Sequence, residues 1–449
     1  YQTGSRPVES RYSYDKVNRF TGETVVTPGG DHAWGVSYGK DNQVTESAQG
    51  RFTFKYSYDG LGRRSTDTLY VDGGTYVGMT RYGYAPGSGT NQSPLVSALG
   101  FFKPNGVDQG TLSYTYDDAG NIKTIKENGV LKATYTYDSL NQLVREDNAW
   151  ADRTYIYVYD NGGNIIEWRE HPYTATNIFG EPSVDQFYGY DSVWKDRLEH
   201  INGHEIAYDG IGNPLNWYPD ISNMKWDNGR QLTSLQKRTS LISYRYDESG
   251  LRIGKQAGSV MTYSDRDANG KLVHEKIGTH DLFYYYDADG SVGSISYDYT
   301  RYAFRKNLQG DVIAILDTNG DVVARYAYDA WGKVLSVTDK DGNTITDADH
   351  VANINPIRYR GYYYDTETGW YYLNSRYYDP SVKRFINADG IIGANGNFTG
   401  MNLFAYCNNN PVMFKDPSGQ ELAILTTTGI IILGGLFILG IYAIWSCAQ

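Results

Sequence analysis

The stretch YYYDADGSVGSIS, residues 284–296, decides how this chain is read. Three aromatic residues run into Asp287, and Gly290 stands three positions later. Alternation along a strand sends side chains to opposite faces, so Tyr284 and Tyr286 share one face. An aspartate opening a tight turn can bond the backbone ahead of it, and a glycine three residues on accepts a positive φ. The same phrase stands at 244–255 as YRYDESGLRIGK and at 326–337 as YAYDAWGKVLSV. It has few groups capable of chemistry, so its repetition reads as architecture.

Clear copies place their aspartate at Asp15, Asp59, Asp117, Asp138, Asp160, Asp209, Asp247, Asp287 and Asp329, with a weaker one at Asp227. Degenerate copies begin at Asp267 (DANG) and Asn307 (NLQG). Anchors at 247, 267, 287, 307 and 329 then give a unit of about twenty residues, the length of a two-stranded hairpin with its turns. One hairpin cannot bury its aromatic face alone, so copies must stack into a continuous sheet. Composition agrees: of 449 residues, 43 are Tyr and 50 Gly, with only 13 Pro. The expected fold is all-β.

A net charge of −11 opposes nucleic-acid binding, which needs a basic face. Two cysteines, Cys407 and Cys447, permit one bridge at most and no CxxC metal pattern. The chain opens at Tyr1 with no signal peptide and reads as a fragment of a longer protein, so its export route is not legible.

These repeats resemble the RHS or YD-repeat family. The stretch RYRGYYYDTETGWYYLNSRYYDPSVKRFINADG, 358–390, with MNLFAYCNNNPVMFKDPSG, 401–419, resembles the RHS repeat-associated core. The resemblance implies a long sheet spiralling into a hollow shell over 1–305, a core over 306–419 that plugs one end, and a C-terminal segment from 420. In bacterial relatives the shell encloses a toxic C-terminal effector. The core cuts the chain at its own end by chemistry like that of an aspartic protease, in which one of two close carboxylates keeps a proton while the other activates water. On the family motif the carboxylates fall on Asp389 and Asp416, with Arg376 beside them and the cut near Gly419, Gln420 and Glu421. The first box departs from the usual DPxG, reading ADGI, and Gln420 stands where a hydrophobic residue is common. Read without the resemblance, Asp389 and Asp416 cap turns and Arg376 is a structural ion-pair partner.

From Leu422 to Cys447 no residue is charged, and Tyr442 and Trp445 lie near the end of the run. That length suits a C-terminal apolar helix crossing a membrane. The alternatives are an apolar segment packed inside the shell, or a chain cut short before its effector. His200 and His204, flanked by Glu199 and Glu205, have a zinc-like spacing, but Asn202-Gly203 between them reads as a hairpin turn. Asn91 and Asn397 fit a glycosylation sequon. No cofactor or metal site is expected.

Two functions follow. One is a toxin shell with its own C-terminal effector segment as partner and a target membrane beyond it, secreted or at the cell surface. Its only enzymology would be intramolecular aspartyl self-cleavage. The other is a non-catalytic, teneurin-like or wall-associated adhesion protein whose tyrosine faces bind carbohydrate. A carbohydrate-processing enzyme is a weaker third, because the aspartates sit at repeated turns and not across a cleft.

Overall fold

The computed structural model describes residues 9–27, 30–87, 92–390, 402–420, 422–426 and 429–433. The two sequons and residues 434–449, with Cys447, Tyr442 and Trp445, lie outside them. The architecture is all-β. Strands Glu9–Tyr14 through His204–Glu205 form a seventeen-stranded sheet, and Ile221–Asp227 through Val334–Thr338 a twelve-stranded one. Each strand pairs antiparallel with the next in sequence, as Tyr284↔Ile295 and Ser294↔Ala303 show. Neither sheet closes into a barrel among the described residues. The twelve-stranded sheet continues to Thr338, past the boundary expected at 305.

The turn of the repeat is built by one carboxylate oxygen. Asp287 Oδ1 accepts the backbone N–H of Asp289 (3.0 Å) and of Ser291 (3.1 Å). Gly290 lies at φ +73°, the left-handed region open to glycine, and its N–H closes the turn on Asp287 O (3.1 Å). The register slips by one residue at the second tyrosine of the unit, a bulge that aims its ring inward. That ring then explains why the position is tyrosine. Its hydroxyl donates to a carbonyl of the preceding strand, Tyr286 to Leu272 O (2.8 Å), Tyr246 to Leu232 O (2.9 Å) and Tyr328 to Val312 O (2.8 Å). The same stitch joins Tyr58 to Val44, Tyr116 to Val96, Tyr137 to Ile122, Tyr159 to Leu143 and Tyr190 to Ile165. A phenylalanine would fill the space and lose the bond.

The sheets meet through buried contacts. Phe52, Phe54 and Tyr56 pack on Ala303, Ala314 and Leu316, and Arg64 forks onto Asp289 (3.0 and 2.9 Å). The core segment adds a four-stranded sheet, Tyr363–Asp365, Trp370–Tyr372, Tyr377–Asp379 and Arg384–Phe385, buried except for the half-buried Tyr363 and Tyr364. It is tied to both large sheets by buried polar pairs. Arg252 forks onto Asp365 (2.6 and 3.0 Å), and Lys255 reaches Asp365 (2.9 Å) and Glu367 (2.8 Å). On the other side Trp217 Nε1 donates to Asp379 (2.8 Å) and Arg384 to Tyr190 OH (2.7 Å). Among the described residues two cavities measure about 340 and 210 Å³, each with room for a few side chains and not for a folded domain.

The apolar tail corrects the sequence expectation. Leu422–Thr426 and Gly429–Leu433 are antiparallel strands, and the first pairs with Phe414–Lys415. No helix among the described residues is long and apolar enough to cross a membrane. The C-terminal apolar helix expected over this run, and membrane association of residues 422–447 through such a helix, are therefore not carried forward. Isoleucine and threonine crowd χ1 in a helix and favour strands, and an edge at Phe414–Lys415 receives them.

Candidate functional site at the end of the core

Arg376 follows a tight turn in which Leu373 N bonds Arg376 O (2.9 Å) and Asn374 takes φ +65°. The turn points its side chain into the protein, where it is 5% exposed. Its guanidinium lies over the Phe385 ring at 3.5 Å. Nη2 contacts Asp389 Oδ2 at 3.0 Å and Asp416 Oδ2 at 3.3 Å, so one nitrogen holds both carboxylates within about 6 Å of each other. Nη1 donates to Leu403 O (3.0 Å), and Nε donates to Gly419 O. Burial pulls the guanidinium below its usual range, and the two carboxylates oppose that pull.

Each acid is fixed by its own backbone. Asp389 N bonds Leu403 O (2.9 Å), the carbonyl that also accepts from Arg376. Ala388 O accepts from Arg230 Nη1 and Ala388 N bonds Gly212 O (3.3 Å), so this turn is pinned without the proline of the usual box. Asp416 N donates to Tyr362 OH (2.7 Å), whose oxygen also meets Tyr406 OH (3.1 Å). Asp416 Oδ1 accepts the N–H groups of Ser418 (3.3 Å), Gly419 (2.7 Å) and Gln420 (3.0 Å). Ser375 clamps Ser418 O through Oγ (2.7 Å) and N (3.2 Å). Gly419 takes φ +77°, and a Cβ there would sit 2.6 Å from Ser375 Oγ and 2.8 Å from Leu373 O. Only glycine fits this clamp.

The structure thus brings Arg376, Asp389, Asp416, Gly419 and Gln420 together; Glu421 lies outside the described residues. Sequence reasoning missed Ser375, Tyr362, Leu403 and Arg230. Ser375 and Tyr362 lie inside the core motif, whereas Arg230, in the repeat region, gave no signal. The histidine pair belongs to a hairpin, with Ile201↔His204 and His200↔Glu205 paired and Asn202 and Gly203 at positive φ. Among the described residues no cluster of His, Cys, Asp and Glu could hold a metal.

The profile of the teneurin YD-shell family matches residues 102–412. The chain belongs to the teneurin YD-shell family. Among relatives of this YD-shell chain, the tRNA nuclease WapA of Bacillus subtilis is 32% identical over 342 residues, 75% of this chain and 14% of that protein. The toxin subunit YenC1 of Yersinia entomophaga is 23% identical over 369 residues, 69% of this chain and 36% of its own length. The Tc holotoxin pore of Photorhabdus luminescens superposes with a TM-score of 0.69 at 18% identity, covering 91% of this chain and 21% of that one. The YD-shell chain therefore spans a minor part of each of these relatives.

Proposed function

We propose that this chain is the closing end of a toxin-type YD shell that cuts itself after its core, separating a C-terminal segment for delivery outside the producing cell. The observation that carries the reading is the single Arg376 guanidinium that holds Asp389, Asp416 and the carbonyl of Gly419. Two carboxylates around one cation in a dry site divide into a proton holder and a water activator. Relatives named as toxins and a nuclease support the reading. The two cavities described, of about 340 and 210 Å³, are too small for an effector domain, so enclosure is assigned to the spiralling, hollow shell of a longer protein, with the core as its plug.

The second reading, a non-catalytic adhesion shell that takes carbohydrate on its tyrosine faces, is favoured by one observation. Asp416 Oδ1 already accepts three backbone N–H groups, as a plain turn cap would. A reporter domain fused after residue 449 separates the two. Self-processing releases it under denaturing conditions from the parent but not from Asp389→Asn or Asp416→Asn, whereas a non-catalytic shell keeps it in all three.

A further inference from the structure

The geometry points to a separate ligand site: the cavity of about 210 Å³ between the two large sheets takes a small apolar carboxylate, of about the size of benzoate, on Lys415 and Arg305. The site does not depend on self-cleavage. Four cations and three carboxylates line the cavity, Arg64, Arg305, Lys306 and Lys415 against Asp67, Asp287 and Asp289. Each acid already has a cation. Asp289 is forked by Arg64 (3.0 and 2.9 Å), Asp67 meets Arg64 (3.4 Å) and Tyr82 OH (2.7 Å), and Asp287 accepts from Lys306 (2.9 Å). The surplus positive charge therefore falls on the other two cations. Lys415 is 9% exposed and makes no hydrogen bond or ion pair among the described residues. Arg305 lies over the Phe101 ring (4.8 Å) and donates to the neutral amide oxygen of Gln109, with no carboxylate paired to it among the described residues. Burial first, and the Lys306 and Arg360 cations next, pull Lys415 from 10.5 down to about 8, against the opposing pull of Asp287 and Asp289.

A buried ammonium without a counter-ion is unfavourable, and an anion that enters the cavity supplies one. One positive charge in excess calls for a monoanion. The guanidinium fork of Arg305 matches the two oxygens of a carboxylate, and Lys415 adds a point charge beside it. The rest of the wall sets the other end of the ligand. Phe54, Leu69, Val77, Leu99, Phe101 and Leu316 are apolar, so a phosphate ion would leave its remaining oxygens without donors there. An apolar cavity of about 150 Å³ is enough to hold benzene, so a ring with one carboxyl group fits this space. Asp289, exposed and lining the cavity, marks its solvent side. Arg305 belongs to the strand Thr300–Lys306, Lys415 to Phe414–Lys415 of the core, and Phe54 to Phe52–Tyr58 of the first sheet. A ligand held here ties the core to both large sheets.

The test is titration calorimetry of the full chain with benzoate, benzyl alcohol and inorganic phosphate, on the parent, Lys415→Met and Arg305→Met. Benzoate is expected to bind the parent saturably and to bind either variant about 10- to 100-fold more weakly, the loss of one charge-assisted hydrogen bond. Benzyl alcohol, which keeps the ring and lacks the charge, and phosphate, which keeps a charge and lacks the ring, are each expected to bind the parent at least about 10-fold more weakly than benzoate. A second readout needs no ligand. Lys415→Met removes an ammonium that lacks a counter-ion, so its Tm should rise by about 1–3 °C. Benzyl alcohol binding as tightly as benzoate overturns the role of the two cations, and phosphate binding as tightly overturns the ligand class. Folded parent that shows no saturable benzoate binding up to about 10 mM overturns the site. A lower Tm in Lys415→Met shows that the ammonium is already satisfied, which removes the ground for the proposal.

Discussion

Glu146 is the point at which stability should depend most plainly on pH. It is fully buried on the strand Leu143–Asn148 and accepts from Ala330 N (2.9 and 3.0 Å), Asn148 Nδ2 (2.9 Å) and Tyr157 OH (3.2 Å). Burial first, and Asp329 second, push its carboxyl from 4.5 up to about 8. Nearby, Lys383 of the core lies over Trp168 at 3.5 Å, and burial pulls it from 10.5 down to about 8. A raised carboxyl favours folding fully below its unfolded value and loses that contribution as pH rises through its folded one, so the fall runs from about 4.5 to 8. A depressed lysine acts oppositely, costing stability below about 8 and recovering toward 10.5. Stability contributed by this group of residues should therefore pass through a minimum near pH 8. At about 1.4 kcal/mol per pH unit the Glu146 share has a ceiling of about 5 kcal/mol, and interior polarisability reduces it to about 2–4. With an unfolding entropy of about 2.1 cal/mol/K per residue, this chain loses about 1 °C of Tm per kcal/mol. Glu146→Gln keeps the acceptor for Ala330 and removes the titration. Its Tm advantage over the parent should grow by about 2–4 °C between pH 5 and pH 9 in calorimetry. An advantage equal at both pH values would refute the reasoning.

Other predictions follow from single contacts. Gly419 and Gly73 share φ +77°, but a Cβ at Gly73 meets nothing within 4 Å. Gly73→Ala should therefore cost only the backbone strain, about 1–2 kcal/mol, and leave processing unchanged, while Gly419→Ala should slow release of the reporter about 100-fold in a denaturing gel time course. Tyr286→Phe strips the donor from Leu272 O and should lose about 1–2 kcal/mol in urea unfolding, whereas Tyr299→Phe, at a ring 83% exposed, should stay within about 0.5 kcal/mol. Arg252→Met leaves Asp365, fully buried, with Lys255 alone and should cost about 3–5 kcal/mol, read as a lower denaturation midpoint.

What the sequence made legible was local. The Asp-x-x-Gly turn carries its own hydrogen bonds within five residues, as Asp287 shows, and the tyrosine alternation fixes which face is inside. The tyrosine stitch spans one strand to the previous one and is visible only once both are paired. The division into two sheets was not legible, because it is made by residues 206–220, where the hairpin pattern gives way to the isolated bridges Tyr208↔Pro214 and Trp217↔Ile221. Nor was the docking of the core, since Arg252 and Asp365 are 113 residues apart. The tail misled because an uncharged run of that length fits a helix by length alone, while its strand partner at Phe414–Lys415 is a tertiary fact. At the site, the three charged residues were suggested by resemblance, but the contact of Arg376 with Gly419 O depends on the turn at Asn374 and on a glycine clamp that no motif spells out.

The central claim, that Asp389 and Asp416 are a working acid pair and not two turn caps, is tested most directly by the intact mass of the purified chain beside Asp389→Asn and Asp416→Asn, all dissolved in denaturant. The account predicts two fragments from the parent and a single full-length mass from each variant. A full-length mass from all three, or fragments from all three, would contradict it.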